Sequence, residues 1–329
     1  MKRQIKYTVL FAAVVAMTLP VTAGAASDYA NTAAIFEMGA GARTLGMGGA
    51  FIGLADDENA AVYNPAGLAF FEGGGINTTY DDQYGTLTYN SAVGSLGSIG
   101  VAGMNLSSGL MDVTNEYGID TGSTTSYYST GLIGGFGIRG DTVGLGSTAK
   151  QLGFGLQVRS FSSSLHTTTG SGLSLSVSSL YRASLGDNSH FQLGIIVPSV
   201  IVTDSLSSDF PLGTITYEDQ SGKVVHEEQF PSNFGVGVGI KTDSSRGRST
   251  SMALDWRAQG GLRGGFEQRF SHLAARFGLT GSGTISAGGG LNLGALGAGD
   301  FLENATIDGV YRWHSDLGNS WMLSFSARI

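Results

Sequence analysis

From about residue 74 to the C-terminus, apolar and polar positions alternate with a period of two. The last segment is the clearest. Trp321, Leu323, Phe325, Ala327 and Ile329 lie on one face, and Met322, Ser324, Ser326 and Arg328 on the other. Leu152, Phe154, Leu156 and Val158 alternate with Gly153, Gly155, Gln157 and Arg159; Phe234, Val236, Val238 and Ile240 alternate with Gly235, Gly237, Gly239 and Lys241. Met252, Leu254 and Trp256 oppose Ala253, Asp255 and Arg257, and Ile307, Tyr311 and Trp313 oppose Asp308, Arg312 and His314. Successive side chains of a strand point to opposite faces, so this pattern predicts half-buried strands. About fourteen are expected, over 74–81, 84–93, 96–106, 126–138, 151–163, 171–185, 190–203, 232–242, 249–258, 261–270, 272–281, 284–294, 304–314 and 319–329. The longest connections, 107–125 and 204–231, both follow odd-numbered strands, whereas Gly94-Ser95, Asp187-Asn188 and Ser271 make short ones. Pro198 interrupts one strand; proline cannot donate to a ladder, so it marks either a kink near the rim or a gap in the wall.

A soluble sandwich alternates too, but three features favour a transmembrane barrel. The apolar face recurs along nearly every segment, the other face carries glycine, serine and single charges, and aromatics cluster near segment ends. Tyr80, Tyr84, Tyr128, Tyr181, Trp313 and Trp321 sit where an interfacial girdle would lie. An even strand number suits a bacterial barrel, and long loops after odd strands place the N-terminus in the periplasm. The expected fold class is all-β: a single antiparallel barrel of residues 74–329. Beyond residue 26 there is no apolar run long enough for a membrane helix.

Residues 26–73 do not alternate. Glycines 39, 41, 46, 48 and 49 permit tight turns, and Asp56 or Asp57 could cap a short helix running to Tyr63 and stopped by Pro65. Exposing Phe51, Ile52, Phe70 and Phe71 to water would be costly, so this segment is expected to fold inside the barrel as a plug. Residues 1–25 read as a secretory signal peptide, with Lys2, Arg3 and Lys6 before an apolar stretch and Ala23-Gly24-Ala25 before the cut. An uncleaved anchor is the alternative.

Composition narrows the classes further. The 329 residues include no cysteine, which removes disulfide scaffolds, lipid attachment at cysteine and cysteine-ligated metals. Glycine reaches 53 residues and charged residues only 13%. A formal charge of −8 argues against nucleic acid as partner.

The stretch Gly41-Ala42-Arg43-Thr44-Leu45-Gly46-Met47-Gly48-Gly49-Ala50-Phe51, then Ala55-Asp56-Asp57, then Asn64-Pro65-Ala66-Gly67-Leu68, resembles the N-terminal hatch of the FadL superfamily of outer-membrane barrels. Within it, the PorV/PorQ-like (UPF0164-type) branch is the nearest match, and Phe230-Pro231-Ser232-Asn233-Phe234-Gly235-Val236-Gly237 resembles a mid-barrel strand start of that branch. The resemblance implies a fourteen-stranded barrel in the bacterial outer membrane. Its implied role is passive transport of hydrophobic or amphipathic small molecules, with a lumenal plug motif at Asn64, Pro65, Ala66 and Gly67. The branch also implies an alternative: a barrel that binds protein partners in secretion or surface assembly. The loops NEYGIDTGSTT and SLSSDFPLGTITYEDQSGKVVHEEQ are polar and acidic, which suits the alternative better than an apolar landing site. Asp316-x-Gly318-x-x-Trp321-x-Leu323 resembles the signal read by the outer-membrane assembly machinery.

Candidate chemistry is otherwise sparse. Histidines 166, 190, 226, 272 and 314 lack ligand spacing, and no metal or cofactor is expected. His314-Ser315-Asp316 is contiguous, which is not a catalytic triad, so no enzyme activity is expected. The lumen face of the expected strands, however, carries Arg159, Arg182, Lys241, Asp255, Arg257, Arg263, Glu267, Arg269, Arg276, Asp308, Arg312 and Arg328. Ionisable groups within a membrane protein are costly unless paired or wet. They are read either as a network holding plug and wall together, with Asp56, Asp57 and Glu58 pairing to wall arginines, or as a polar conduit.

Overall fold

A computed structural model describes residues 33–198, 212–231, 234–244, 247–296 and 302–329. The expected signal peptide lies outside the described residues, as do the end of the expected strand 190–203 and residues Ser232 and Asn233. Eighteen strands are described: β1 (Gly74–Gln83), β2 (Leu87–Leu96), β3 (Ile99–Ser108), β4 (Met111–Thr114), β5 (Asp120–Thr125), β6 (Tyr127–Arg139), β7 (Leu152–Leu165), β8 (Thr168–Ser184), β9 (Ser189–Val197), β10 (Thr214–Glu218), β11 (Val224–Gln229), β12 (Gly235–Ser244), β13 (Arg248–Arg257), β14 (Gly261–Arg269), β15 (Leu273–Thr280), β16 (Ile285–Asn292), β17 (Ala305–His314) and β18 (Gly318–Arg328).

Fourteen of them close a ring. Antiparallel pairing runs β1-β2-β3-β6-β7-β8-β9-β12 and on through β18, which pairs back onto β1 from Gly75↔Arg328 to Asp82↔Trp321. Each expected segment corresponds to one of these strands. Closure joins the first and last strands of the ring, which is what a bilayer demands of a sheet.

The remaining four strands correct the sequence reading of both long connections as plain loops. Connection 107–125 holds the hairpin β4–β5, and residues 214–229 hold the hairpin β10–β11. The latter lies against the outer half of β8, where Ile215–Glu218 pair with Thr169–Gly172. β8 therefore changes partner along its length, from β9 at Val177↔Val197 to β10. Pro198 follows directly on Val197 and marks the end of β9.

The outward face is apolar. Leu96, Ile99, Leu132, Phe277, Trp313 and Leu323 are among its exposed side chains. An exposed belt of this extent suits hydrocarbon rather than water. Of the expected girdle, Tyr80, Tyr128, Trp313 and Trp321 are exposed on this face. Tyr84 departs from it: it sits in the β1–β2 turn at positive φ and borders an interior cavity beside Arg263 and Arg312.

Residues 33–71 hydrogen-bond to side chains of strands all round the ring. Gly41 N–H donates to Thr79 Oγ1 of β1, Ser95 Oγ of β2 to the Glu58 carbonyl, Gln157 Nε2 of β7 to the Ala61 carbonyl, and Ser286 Oγ of β16 to the Gly46 carbonyl. The segment folds as short turns: α1 (Ala42–Gly46), α2 (Ala60–Tyr63), and 3-10 turns at Ala34–Phe36 and Pro65–Phe70. Of the four apolar residues named from the sequence, Phe51 and Ile52 are buried, together with Leu54 and Leu68, while Phe70 and Phe71 are only partly buried.

The glycines explain how backbone meets wall. A Cβ on Gly53 would lie 2.5 Å from the Gly237 and Val238 backbone, and one on Gly235 would lie 2.5 Å from Ile52 Cδ1. The inward glycines of β12 thus make room for residues 52–54.

Candidate functional site: the charged seam between segment and wall

The centre of the site is Arg43 on α1, one of the buried charged residues. Its Nη1 reaches Asp56 at 2.7 Å and Asp57 at 2.6 Å, while Nη2 and Nε grip the Glu267 carboxylate at 2.9 and 3.1 Å. A planar guanidinium can serve three carboxylates in this way, and a lysine cannot. Glu267 also receives Arg276 at 2.7 Å and Arg269 at 3.2 Å, and Arg276 continues to Asp308 at 2.6 Å. Asp56 binds Lys241 of β12 at 2.8 Å. Arg328, at the end of β18, reaches Glu58 at 3.3 Å and Asp57 at 4.0 Å.

These contacts correct two expectations. Asp56 and Asp57 pair first with Arg43 of their own segment; their wall partners are Lys241 and, more distantly, Arg328. Arg43 is the sole lysine or arginine between residues 26 and 73, among several carboxylates. That imbalance is the signal by which it could have been found. Asp57 also does not cap α2 directly. Its Oδ1 accepts the N–H of Asn59, the residue before the helix, at 2.9 Å.

The other expected charges fall on the inward face in smaller groups. Asp255 accepts the N–H groups of Phe51 at 2.6 Å and Ile52 at 2.7 Å, with Gly53 at 3.4 Å, anchoring the segment on β13. Arg257 and Arg263 face Glu37 at 3.4 and 3.8 Å. Arg312 binds Asp81 at 2.6 Å. Arg159 donates to Gln157 Oε1 at 2.6 Å and lies over the Phe36 ring, 5.4 Å from its centroid. Arg182 has no carboxylate within ion-pair range among the described residues. Glu37 and Asp81 were missed in the sequence, because neither lies in a motif.

The Asn64 amide serves both segment and wall. Nδ2 donates to the Ile52 carbonyl at 2.8 Å and to the Ser179 carbonyl of β8 at 3.3 Å, and Oδ1 accepts Ala66 N–H at 3.1 Å. Pro65 starts the following 3-10 turn, where its missing N–H costs nothing. Ala66 N–H is shared with Ser178 Oγ at 3.1 Å. Gly67 is required by contact, since a Cβ there would collide with the Ala55 carbonyl oxygen.

Burial sets the ionisation of the segment's charges. Burial works against the charge of Arg43, but Asp56, Glu267 and Asp57 outweigh it and raise its pKa. Burial likewise opposes Asp56 ionisation, yet Arg43 and Lys241 hold its carboxyl well below the usual range. Glu58 differs: burial, then the Asp57 charge, push it up to about 7 against the pull of Arg328.

Two interior cavities bounded by described residues measure about 40 Å³, beside Glu37, Tyr84 and Arg312, and about 10 Å³, beside Phe36, Tyr63 and Pro198. An apolar cavity that binds benzene is on the order of 150 Å³. Among the described residues no three histidine, aspartate or glutamate side chains could share a metal ion. His314 Nδ1 accepts the N–H groups of Asp316 and Leu317, so His-Ser-Asp here forms a turn.

No protein-family model matches the chain, and no curated protein is similar in sequence. Solved structures do match the fold. The Ralstonia pickettii toluene transporter TbuX superposes with a TM-score of 0.52 at 11% identity, covering 88% of this chain and 98% of its own. The CymD monoaromatic hydrocarbon channel gives 0.51 at 10% identity, covering 89% and 98%. A deltaS2S3 mutant of the TodX monoaromatic hydrocarbon channel gives 0.52 at 13%, covering 88% and 99%. Two of these neighbours are monoaromatic hydrocarbon channels and one is a toluene transporter. At such identity the likeness is one of fold, and the fold is the one expected from the hatch-like residues.

Proposed function

We propose that the chain is a channel of FadL type in the bacterial outer membrane, passing small hydrophobic molecules passively, with residues 26–73 as the lumenal plug. One observation carries this reading. The segment fills a closed, lipid-suited barrel, yet much of its contact with the wall is ionic and hydrogen-bonded. Beside the apolar cluster that segment and wall share, the seam is a chain of neighbouring carboxylates and cations that can exchange partners with one another. A plug held this way can shift without the barrel opening. Asn64, Pro65, Ala66 and Gly67 would fix the plug's fold, and Arg43 with Asp56, Asp57 and Glu267 would hold it in place. The fold shared with hydrocarbon channels supports an apolar cargo, and an apolar cargo requires no cofactor.

The second reading, a PorV-like barrel that binds a secretion or surface-assembly protein, is favoured by the hairpin β10–β11. Val224, Val225, His226 and Glu227 are exposed there. Native mass spectrometry of protein gently extracted from its own outer membrane separates the two. A bound apolar small molecule supports the channel. A stoichiometric bound protein with no small molecule contradicts it and supports the partner role.

A further inference from the structure

The outer end of the lumen holds an aromatic cluster that the charged seam does not use. Phe230 follows β11 and belongs to no strand. Its N–H donates to the Gly213 carbonyl at 2.8 Å, and its side chain turns inward and is buried. The ring lies 6.3 Å from that of Phe36 on the inner segment and 6.4 Å, edge-on, from that of Phe161 on β7. Ile215 of β10 is fully buried in the same cluster. The wall is hollowed where the ring sits: a Cβ on Gly172 of β8 would be 2.7 Å from Phe230 Cε2.

We infer that Phe230 occupies a binding site for a single uncharged aromatic ring, and that such a solute reaches the lumen by displacing it. The chemistry of the site is that of ring recognition. It offers an aromatic face, an aromatic edge, an aliphatic wall and a gap left by glycine. The far side of Phe36 is held by the Arg159 guanidinium, which fixes that ring in place. The present occupant is tethered, and a tethered group competes at high effective concentration. For the ring to leave, the hairpin that carries it must part from β8. The hairpin β10–β11 joins the wall through the pairing of Ile215–Glu218 with β8. A charged ring would have to shed its hydration among the apolar side chains of Phe36, Phe161 and Ile215.

The inference rests on the channel reading for its purpose, but ring binding can be measured without transport. The experiment is a fluorine NMR titration of fluorobenzene into nanodisc-held protein, with empty nanodiscs as reference. Phe230→Ala should bind one fluorobenzene saturably, at least tenfold tighter than the unaltered protein. Phe161→Ala added to it should weaken binding at least tenfold, and Phe230→Trp should abolish it. The inference is overturned if Phe230→Ala, still migrating as a heat-modifiable barrel, binds no better than the unaltered protein. Ring binding by Phe230→Ala without uptake by cells would keep this site and remove the channel. Uptake indifferent to both Phe230 variants would keep the channel and remove this site.

Discussion

Arg43 joins three carboxylates, Asp56, Asp57 and Glu267, of which Asp56 and Glu267 have further cationic partners. Removing one partner of a buried ion pair costs about 3–5 kcal/mol, since the other charges stay buried and unpaired. Arg43→Met should therefore lower stability by about that amount in urea unfolding from lipid vesicles. Arg43→Lys should recover only part, because an ammonium cannot fork. Equal stability of Arg43→Met and the unaltered protein would show that the seam is solvated and holds nothing.

Glu58 gives a pH dependence with a definite sign. Its carboxyl is pushed up to about 7 in the fold, from an ordinary value of 4.5. Below that ordinary value both folded and unfolded chains hold the proton. Between it and about 7, only the folded chain does, so its stability falls as pH rises through this window. Hydrogen exchange of residues 56–63 should be slower at pH 5 than at pH 8, after correction for intrinsic rates, and Glu58→Gln should flatten the difference. An unchanged pH profile in the variant would assign the effect elsewhere. At this scale the sequence was legible in part. The alternation put the charges from Arg159 through Arg328 on one face of their strands. It could not pair them, because pairing depends on the path of residues 33–71, which follows no period.

At the scale of elements, alternation identified all fourteen ring strands, since each has one lipid-facing and one inward face. The hairpins β4–β5 and β10–β11 were invisible to it. They stand outside the closed ring, where neither face must be apolar, and β11 shows no alternation at all. The inner segment depends on glycine contacts rather than on helix length. Gly67→Ala places a methyl on the Ala55 carbonyl oxygen and should cost about 1–3 kcal/mol by overpacking, read in the same urea unfolding. A neutral effect would mean that residues 55 and 67 separate freely. Deleting residues 319–329 removes nearly all of β18 and leaves β1 and β17 with bare edges. That chain should lose its heat-modifiable migration; a truncated chain that kept it would contradict the closure described.

Across the whole molecule, charge is divided between two parts. The inner segment is acidic, with Glu37, Asp56, Asp57 and Glu58 against Arg43 alone among its described residues up to 71, while arginine dominates the inward wall. The net charge of −8 hides this division, because the inward wall's excess of arginine is offset by the segment and the outer loops. The complementarity adds an ionic seam to the apolar cluster that segment and wall share, and it is why a barrel this full is still read as a channel. The most direct measurement is uptake of a radiolabelled monoaromatic hydrocarbon by intact cells lacking their own hydrocarbon channels. The account predicts that cells carrying this protein accumulate the label severalfold faster than cells without it, and that Phe230→Trp returns the rate to the background. Equal rates with and without the protein, at equal surface expression, would contradict the channel itself.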